Sequence, residues 1–208
     1  MRTSKTQLYS ILTGVFVACL LITNVMSAKT FTLGNVVLPT AVIIFPVVYI
    51  VNDVMAEIYG FRKARSIIFL GFALNALAVA AYTIAIALPA PAYAAEGAAA
   101  FAAVLGSTWR ILIASFAAYL VGSLVNAGIM VRMKEKLREY LMLRCILSTL
   151  VGEGVDAVIF ITIAFIGTMP METLVIMIVA QAAFKTLFEV VFYPMTRAVI
   201  KKVELLPE

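Results

Sequence analysis

The sequence predicts an all-α membrane protein with six transmembrane helices and both termini on the cytoplasmic side. Three observations predict it. The 208 residues are 64% hydrophobic and only 13% charged, far more apolar than the roughly 45–50% of a soluble domain. Windows of about 20 apolar residues recur six times, at roughly 9–28, 39–58, 66–88, 108–131, 145–168 and 171–196. Of 16 Lys and Arg, all but Lys29, Arg110 and Lys185 fall before the first window or after the second, fourth and sixth, the alternation that the positive-inside rule turns into topology. Residues 132–140 are then cytoplasmic and 89–100 outside. No linker or composition shift divides the chain, so residues 1–208 read as one domain whose first partner is the lipid bilayer.

Composition also excludes functions. A net charge of +5 would suit nucleic acid, but the basic residues sit in short loops between apolar runs, where charge sets orientation instead. With no histidine, Ser/His/Asp and Cys/His catalysis, histidine metal sites and imidazole proton relays are absent, and any proton carrier must be a carboxylate. Cys19 and Cys145 occupy different apolar segments and read as small buried hydrophobes. The opening "MRTSK" imitates a signal peptide, but Tyr9–Ala28 is long for one and lacks a small-x-small cleavage site, so it reads as the first permanent span.

Taken in order, the first window carries Asn24 and ends near Lys29. The loop "FTLGNVVL" (31–38) places two short apolar runs around Gly34-Asn35, which reads either as a two-residue β-hairpin in the first outer loop or as an irregular interfacial segment. In the second window Tyr49, Asp53 and Glu57 are spaced i, i+4, i+8 and share a helix face, with Asn52 beside them. "PAPAYAAEGAAAF" (89–101) suits an outer loop with a short interfacial helix. The fourth window contributes Ser123 and Asn126. "RILIASF" from Arg110 and "RCILST" from Arg144 hint at a repeat but are too short to establish one.

The fifth and sixth windows hold the costliest residues. Glu153 and Asp156 share one face at i, i+3, and Gln181, Lys185 and Glu189 form an i, i+4 stripe. At a rise of about 1.5 Å per residue, Glu153 lies about 14 Å and Asp156 about 18 Å beyond Arg144, while Lys185 lies about 18 Å inside Arg197. All three therefore fall near mid-membrane, where a charge costs at least roughly 2.5 kcal/mol and marks a functional site by default. One cation facing two acids can hold one ionised and leave the other, Glu153, able to exchange a proton. Bland alternatives stand beside each assignment. Glu57 can pair with Arg62 or Arg65, Lys185 with Glu189 along its own helix, and Glu153 with Asp156 can be a purely structural cluster. Gly122, Gly152 and Gly154 suit close helix packing.

"PVVYIVNDVMAEIYGFRKAR" (46–65), "RCILSTLVGEGVDAVIFITIAFIG" (144–167) and the Lys185, Glu189 and Pro194 of "KTLFEVVFYP" resemble the queuosine precursor transporters, also called the vitamin uptake transporter (VUT) family. The resemblance covers nearly the whole chain. It implies a multi-pass bacterial inner-membrane importer, without a cofactor, of 7-deazaguanine bases (the cyano or aminomethyl precursor, or queuine) for transfer-RNA queuosine. Secondary transport and facilitated diffusion are both compatible with it, as is a homodimer. The matching positions are Asn24, Lys29, Asn52, Asp53, Glu57, Tyr59, Gly60, Arg65, Arg110, Ser115, Arg144, Ser148, Thr149, Glu153, Asp156, Gly167, Lys185 and Pro194. Relatives that carry Gln at position 153 or an acid at 126 tie the buried charge to the ligand's.

The chemistry of the residues agrees with such a ligand. A guanine-like edge offers adjacent N–H groups that a carboxylate accepts and a carbonyl to which Lys or Asn donates. The expected substrate contacts are Asn24, Tyr49, Asn52, Asp53, Asn126, Glu153, Asp156, Gln181 and Lys185, with Glu57, Arg65, Arg110, Arg144 and Glu189 as a structural charge network and no metal site. Two other readings compete. A substrate-binding subunit of an energy-coupling-factor vitamin transporter would carry A-x-x-x-A in the first span, where this chain has only Ala18 and Ala28. An intramembrane aspartyl enzyme could pair Asp53 with Asp156, though no motif supports one.

Overall fold

An apolar segment in lipid must satisfy its own backbone hydrogen bonds, and an α-helix does so within a single segment. The computed structural model is dominated by helices. It describes residues 5–136 and 141–204. Among the expected site residues, the side chains of Tyr49, Asp53, Glu57, Arg144 and Glu189 lie outside what is described, as does that of Cys145.

Among the described residues the helices are α1 (Lys5–Met26), α2 (Phe45–Tyr59), α3 (Phe61–Ala87), α4 (Ala95–Leu105), α5 (Thr108–Lys136), α6 (Leu141–Phe165) and α7 (Met171–Glu204). Segments long and apolar enough to cross a membrane are Lys5–Met26, Arg62–Ala87, Ala92–Asn126, Leu147–Phe165 and Met171–Phe192. The window at 39–58 departs from the expected span. Pro39 closes a strand, Thr40–Ile43 is a 3-10 turn, and α2 keeps only 15 residues. At about 1.5 Å per residue that is about 22 Å, short of the roughly 30 Å hydrocarbon layer. Pro46, which lacks an N–H, is tolerated because it falls in the first turn of α2.

The chain's contacts group it into two compact units. The first comprises the residues up to Lys29, Thr40–Trp109 and those from Val191 on. Here α1 packs on α2 and α3, and α2 on α3. Gly71 lets α1 approach α3, since a Cβ there would fall 2.5 Å from Leu20 Cδ1. The α2–α3 break at Gly60 has φ +81° and ψ 162°, a conformation essentially reserved for glycine. Beside it the Tyr59 hydroxyl donates to the Lys5 carbonyl (2.7 Å), the Tyr9 and Tyr59 rings meet edge-on at 5.2 Å, and Lys63 Nζ lies 5.5 Å from the Tyr9 centroid. The Ala-rich α4 is a good helix sequence with Glu96 in its first turn and no buried residue.

The second unit comprises Thr30–Pro39 and Arg110–Val190. Its hairpin pairs β1 (Thr30–Leu33) with β2 (Val36–Pro39) in the register Leu33↔Val36 to Thr30↔Pro39. Gly34 has φ +61° and Asn35 no positive φ, the pattern of a type II′ turn with glycine first. The hairpin reading of 31–38 therefore holds. Val37 packs against an apolar core built from Ile111, Ala114 and Ala118 of α5, Phe160, Ile161, Ala164 and Phe165 of α6, and Leu174 and Met177 of α7. These positions recur at three- and four-residue intervals, one face of each helix.

Candidate functional site

In the second unit, α5 and α6 cross at a pair of glycines. A Cβ on Gly122 would lie 3.0 Å from the Gly152 carbonyl oxygen and 3.0 Å from Asp156 Cβ; one on Gly152 would lie 3.1 Å from the Gly122 carbonyl oxygen and 2.8 Å from Asn126 Cβ. The contact is reciprocal: each helix presents Gly-x-x-x-polar, and the polar residue of one sits on the glycine of the other. Small residues at such a crossing bring backbones together, and here they also hold Asn126 and Asp156 beside the neighbouring helix. Gly154 differs from the packing role expected of it, having nothing within 4 Å of its Cβ position.

One turn along α6, the same face meets α7. Lys185 Nζ lies 2.8 Å from Glu153 Oε2 and donates a hydrogen bond to Asp156 Oδ2. Lys185 is 6% exposed, Glu153 24% and Asp156 16%, so the cation is the most enclosed of the three. The common depth inferred for the three charges from the sequence thus corresponds to direct pairing. Breaking a buried pair by removing one partner typically costs about 3–5 kcal/mol. The Glu153 contact is an ion pair outside hydrogen-bond geometry, and Oε2 meets no other donor.

Two further amides flank the triad. Gln181, one turn before Lys185 on α7, is 1% exposed, and neither its Oε1 nor its Nε2 has a hydrogen-bond partner. Asn126 Oδ1 is likewise buried and unpartnered. Buried side-chain amides are ordinarily satisfied, so orphans in one unit require a reason.

Arg110, grouped above with structural charges, has a specific geometry. Its Nε and Nη2 donate to the carbonyl oxygens of Ile163 and Ile166 at 2.5 Å each, capping the C-terminal end of α6, where orphan carbonyls and the helix dipole favour a cation. Gly167, with φ +80°, makes the turn that exposes them.

The remaining expected residues belong to the first unit. Asn24, 4% exposed, donates from Nδ2 to the Thr108 carbonyl (3.4 Å) while Oδ1 is unpartnered. Asn52 is half-buried and Arg65 exposed. Asn75, buried at 3% and donating to the Leu20 carbonyl (3.4 Å), was not singled out from sequence. An isolated Asn among apolar residues, with no second polar residue at helical spacing, was the signal available.

Several long apolar helices and a buried charge cluster define a multi-pass membrane protein. Residues 39–199 match the family described as "Putative vitamin uptake transporter", a match that runs through most of the chain and through both units. The chain belongs to the vitamin uptake transporter family, and its role is that of a membrane transporter. No curated protein and no solved structure matches it.

Proposed function

We propose that this transporter imports 7-deazaguanine precursors of queuosine across the bacterial inner membrane, and that the Lys185–Glu153–Asp156 triad forms the centre of its binding site. The observation carrying the reading is the imbalance of that site. Among the described residues two carboxylates face one ammonium, and Asn126 Oδ1 and Gln181 Oε1 are acceptors without a donor. A surplus of buried acceptors selects a donor-rich ligand, and the aminopyrimidinone edge of a guanine-like base offers a ring N–H beside an amino group. Asp156 accepts from the amino group of that edge as Lys185 shifts toward Glu153, and Glu153 exchanges a proton if transport is proton-coupled. Family membership supports transport of a small molecule, and the sequence motifs at 46–65 and 144–167 support this particular class.

The test is transfer-RNA queuosine content in a host unable to make the precursors, expressing this chain and fed the cyano base, the aminomethyl base or queuine in turn. Restoration with at least one is expected; no restoration with any, from protein shown to be in the membrane, overturns the cargo. The proposal keeps residues 1–208 as one transporter with both termini cytoplasmic, supported by the placement of Lys and Arg. Cysteine labelling of intact cells should reach position 96 and not position 136.

A further inference from the structure

Gln181 is the least satisfied polar group among the described residues of the second unit. It is 1% exposed with both amide atoms unpartnered, so exchanging the amide's oxygen and nitrogen exchanges two orphans and repairs nothing. Neighbouring positions do not help. The antiparallel register that joins Lys185 to Asp156 sets Gln181 level with Ala157–Phe160, and the next turn of α7 is Met177, all apolar at these positions. An amide so placed forfeits two hydrogen bonds that water would supply, and a Met or Leu would fill the space without that loss. The side chain lies one turn from the charge triad on the same helix face.

We infer that Gln181 reads a cis-amide (lactam) edge on the transported molecule, its Oε1 accepting the ring N–H and its Nε2 donating to the adjacent ring carbonyl. The carboxamide carries donor and acceptor side by side in one plane, and a lactam presents the complementary pair, so both orphans are met at once by two parallel hydrogen bonds. The apolar positions level with Gln181 on α6 and α7 suit the face of a flat ring. This assigns a division of labour: the triad sets how many donors the molecule must carry, and Gln181 sets that a carbonyl stands beside an N–H. The assignment deepens the cargo reading above and rests on it for the identity of the molecule, not for the lactam itself.

The experiment uses the full chain purified in lipid nanodiscs and measures binding calorimetrically. The probes are the cyano 7-deazaguanine base, guanine, hypoxanthine and uracil, with the 6-O-methyl derivative of each purine-like base, which loses the N–H and converts the carbonyl to an ether. A bidentate contact of this kind discriminates by about ten- to a hundredfold, so wild type should bind a lactam that much more tightly than its O-methyl partner. Gln181→Met should erase the difference by weakening only the lactam, with a melting temperature equal to or above wild type. Equal binding of both partners by wild type overturns the inference, and this measurement stands even if the variant fails to fold. Retained discrimination in Gln181→Met overturns it also, as does failure of every lactam to bind. Gln181-dependent binding of other lactams but not of the cyano base would remove that base from the proposed cargo and keep the inference. Binding of the cyano base independent of Gln181 would do the reverse.

Discussion

Among the described residues, the two units differ in how their most buried polar groups are met. In the first, polar side chains turn to backbone carbonyls: Ser27 Oγ to Thr23 (2.8 Å), Thr40 Oγ1 to Met26 (2.5 Å), Asn75 to Leu20 and Asn24 to Thr108 (3.4 Å each). Such bonds contribute about 1 kcal/mol each, and Asn24 Oδ1 is the buried atom left unpartnered among these four side chains. In the second, an ammonium is shared between two acids, and Gln181 and Asn126 hold unmet atoms. Groups that tie a helix down find partners in the backbone. The groups proposed to meet a ligand find each other, or nothing.

The largest effect that would sharpen this contrast is expected from Lys185→Met. It strands two buried carboxylates and should destabilise the purified protein by about 3–5 kcal/mol and abolish uptake. Combining it with Glu153→Gln and Asp156→Asn should recover most of the melting temperature but not uptake. Normal transport by Lys185→Met with both acids intact would break the contrast outright.

Next, Asp156→Asn should lower ligand affinity at least about tenfold, since an amide replaces a hydrogen-bonded carboxylate worth roughly 1.5–3 kcal/mol. Glu153→Gln should keep binding and reduce whatever pH dependence uptake shows. Unimpaired binding by Asp156→Asn would return both acids to a structural role.

A third comparison is steric. Gly152→Ala puts a methyl 2.8 Å from Asn126 Cβ, an overpacking that should cost about 1–3 kcal/mol in thermal denaturation. Gly14→Ala in α1, with open space around it, should change stability by no more than about 1 kcal/mol. On uptake the smallest effect is expected from Asn75→Ala in the first unit, which should cost about 1 kcal/mol and leave the uptake rate unchanged; a loss of uptake would give that unit a share in ligand chemistry.

Much of this was legible in the sequence, for physical reasons that also explain what was not. Apolar windows translated into helices because lipid leaves so few alternatives, and Gly34-Asn35 announced a turn that needs a positive φ. Lys185 could be placed level with Glu153 and Asp156 because helical rise is uniform. The late start of α2 was hidden, since the strand residues Val36–Pro39 and the 3-10 turn after them are as apolar as a helix. The cap made by Arg110 depends on where α6 ends in space, which no local pattern encodes. That Gln181 would lack partners was equally unreadable, because an unmet hydrogen bond belongs to the surroundings and not to the residue.

The reciprocal crossing of α5 and α6 bears on how this sequence can change over time. Gly122 accommodates Asp156, and Gly152 accommodates Asn126, so neither glycine can be given a side chain without a matching concession across the contact. Contacting positions of this kind have interdependent substitution effects. Among descendants of this chain the four sites are therefore expected to covary as a set, with an acid at 126 arriving only in lineages that keep glycine at 152.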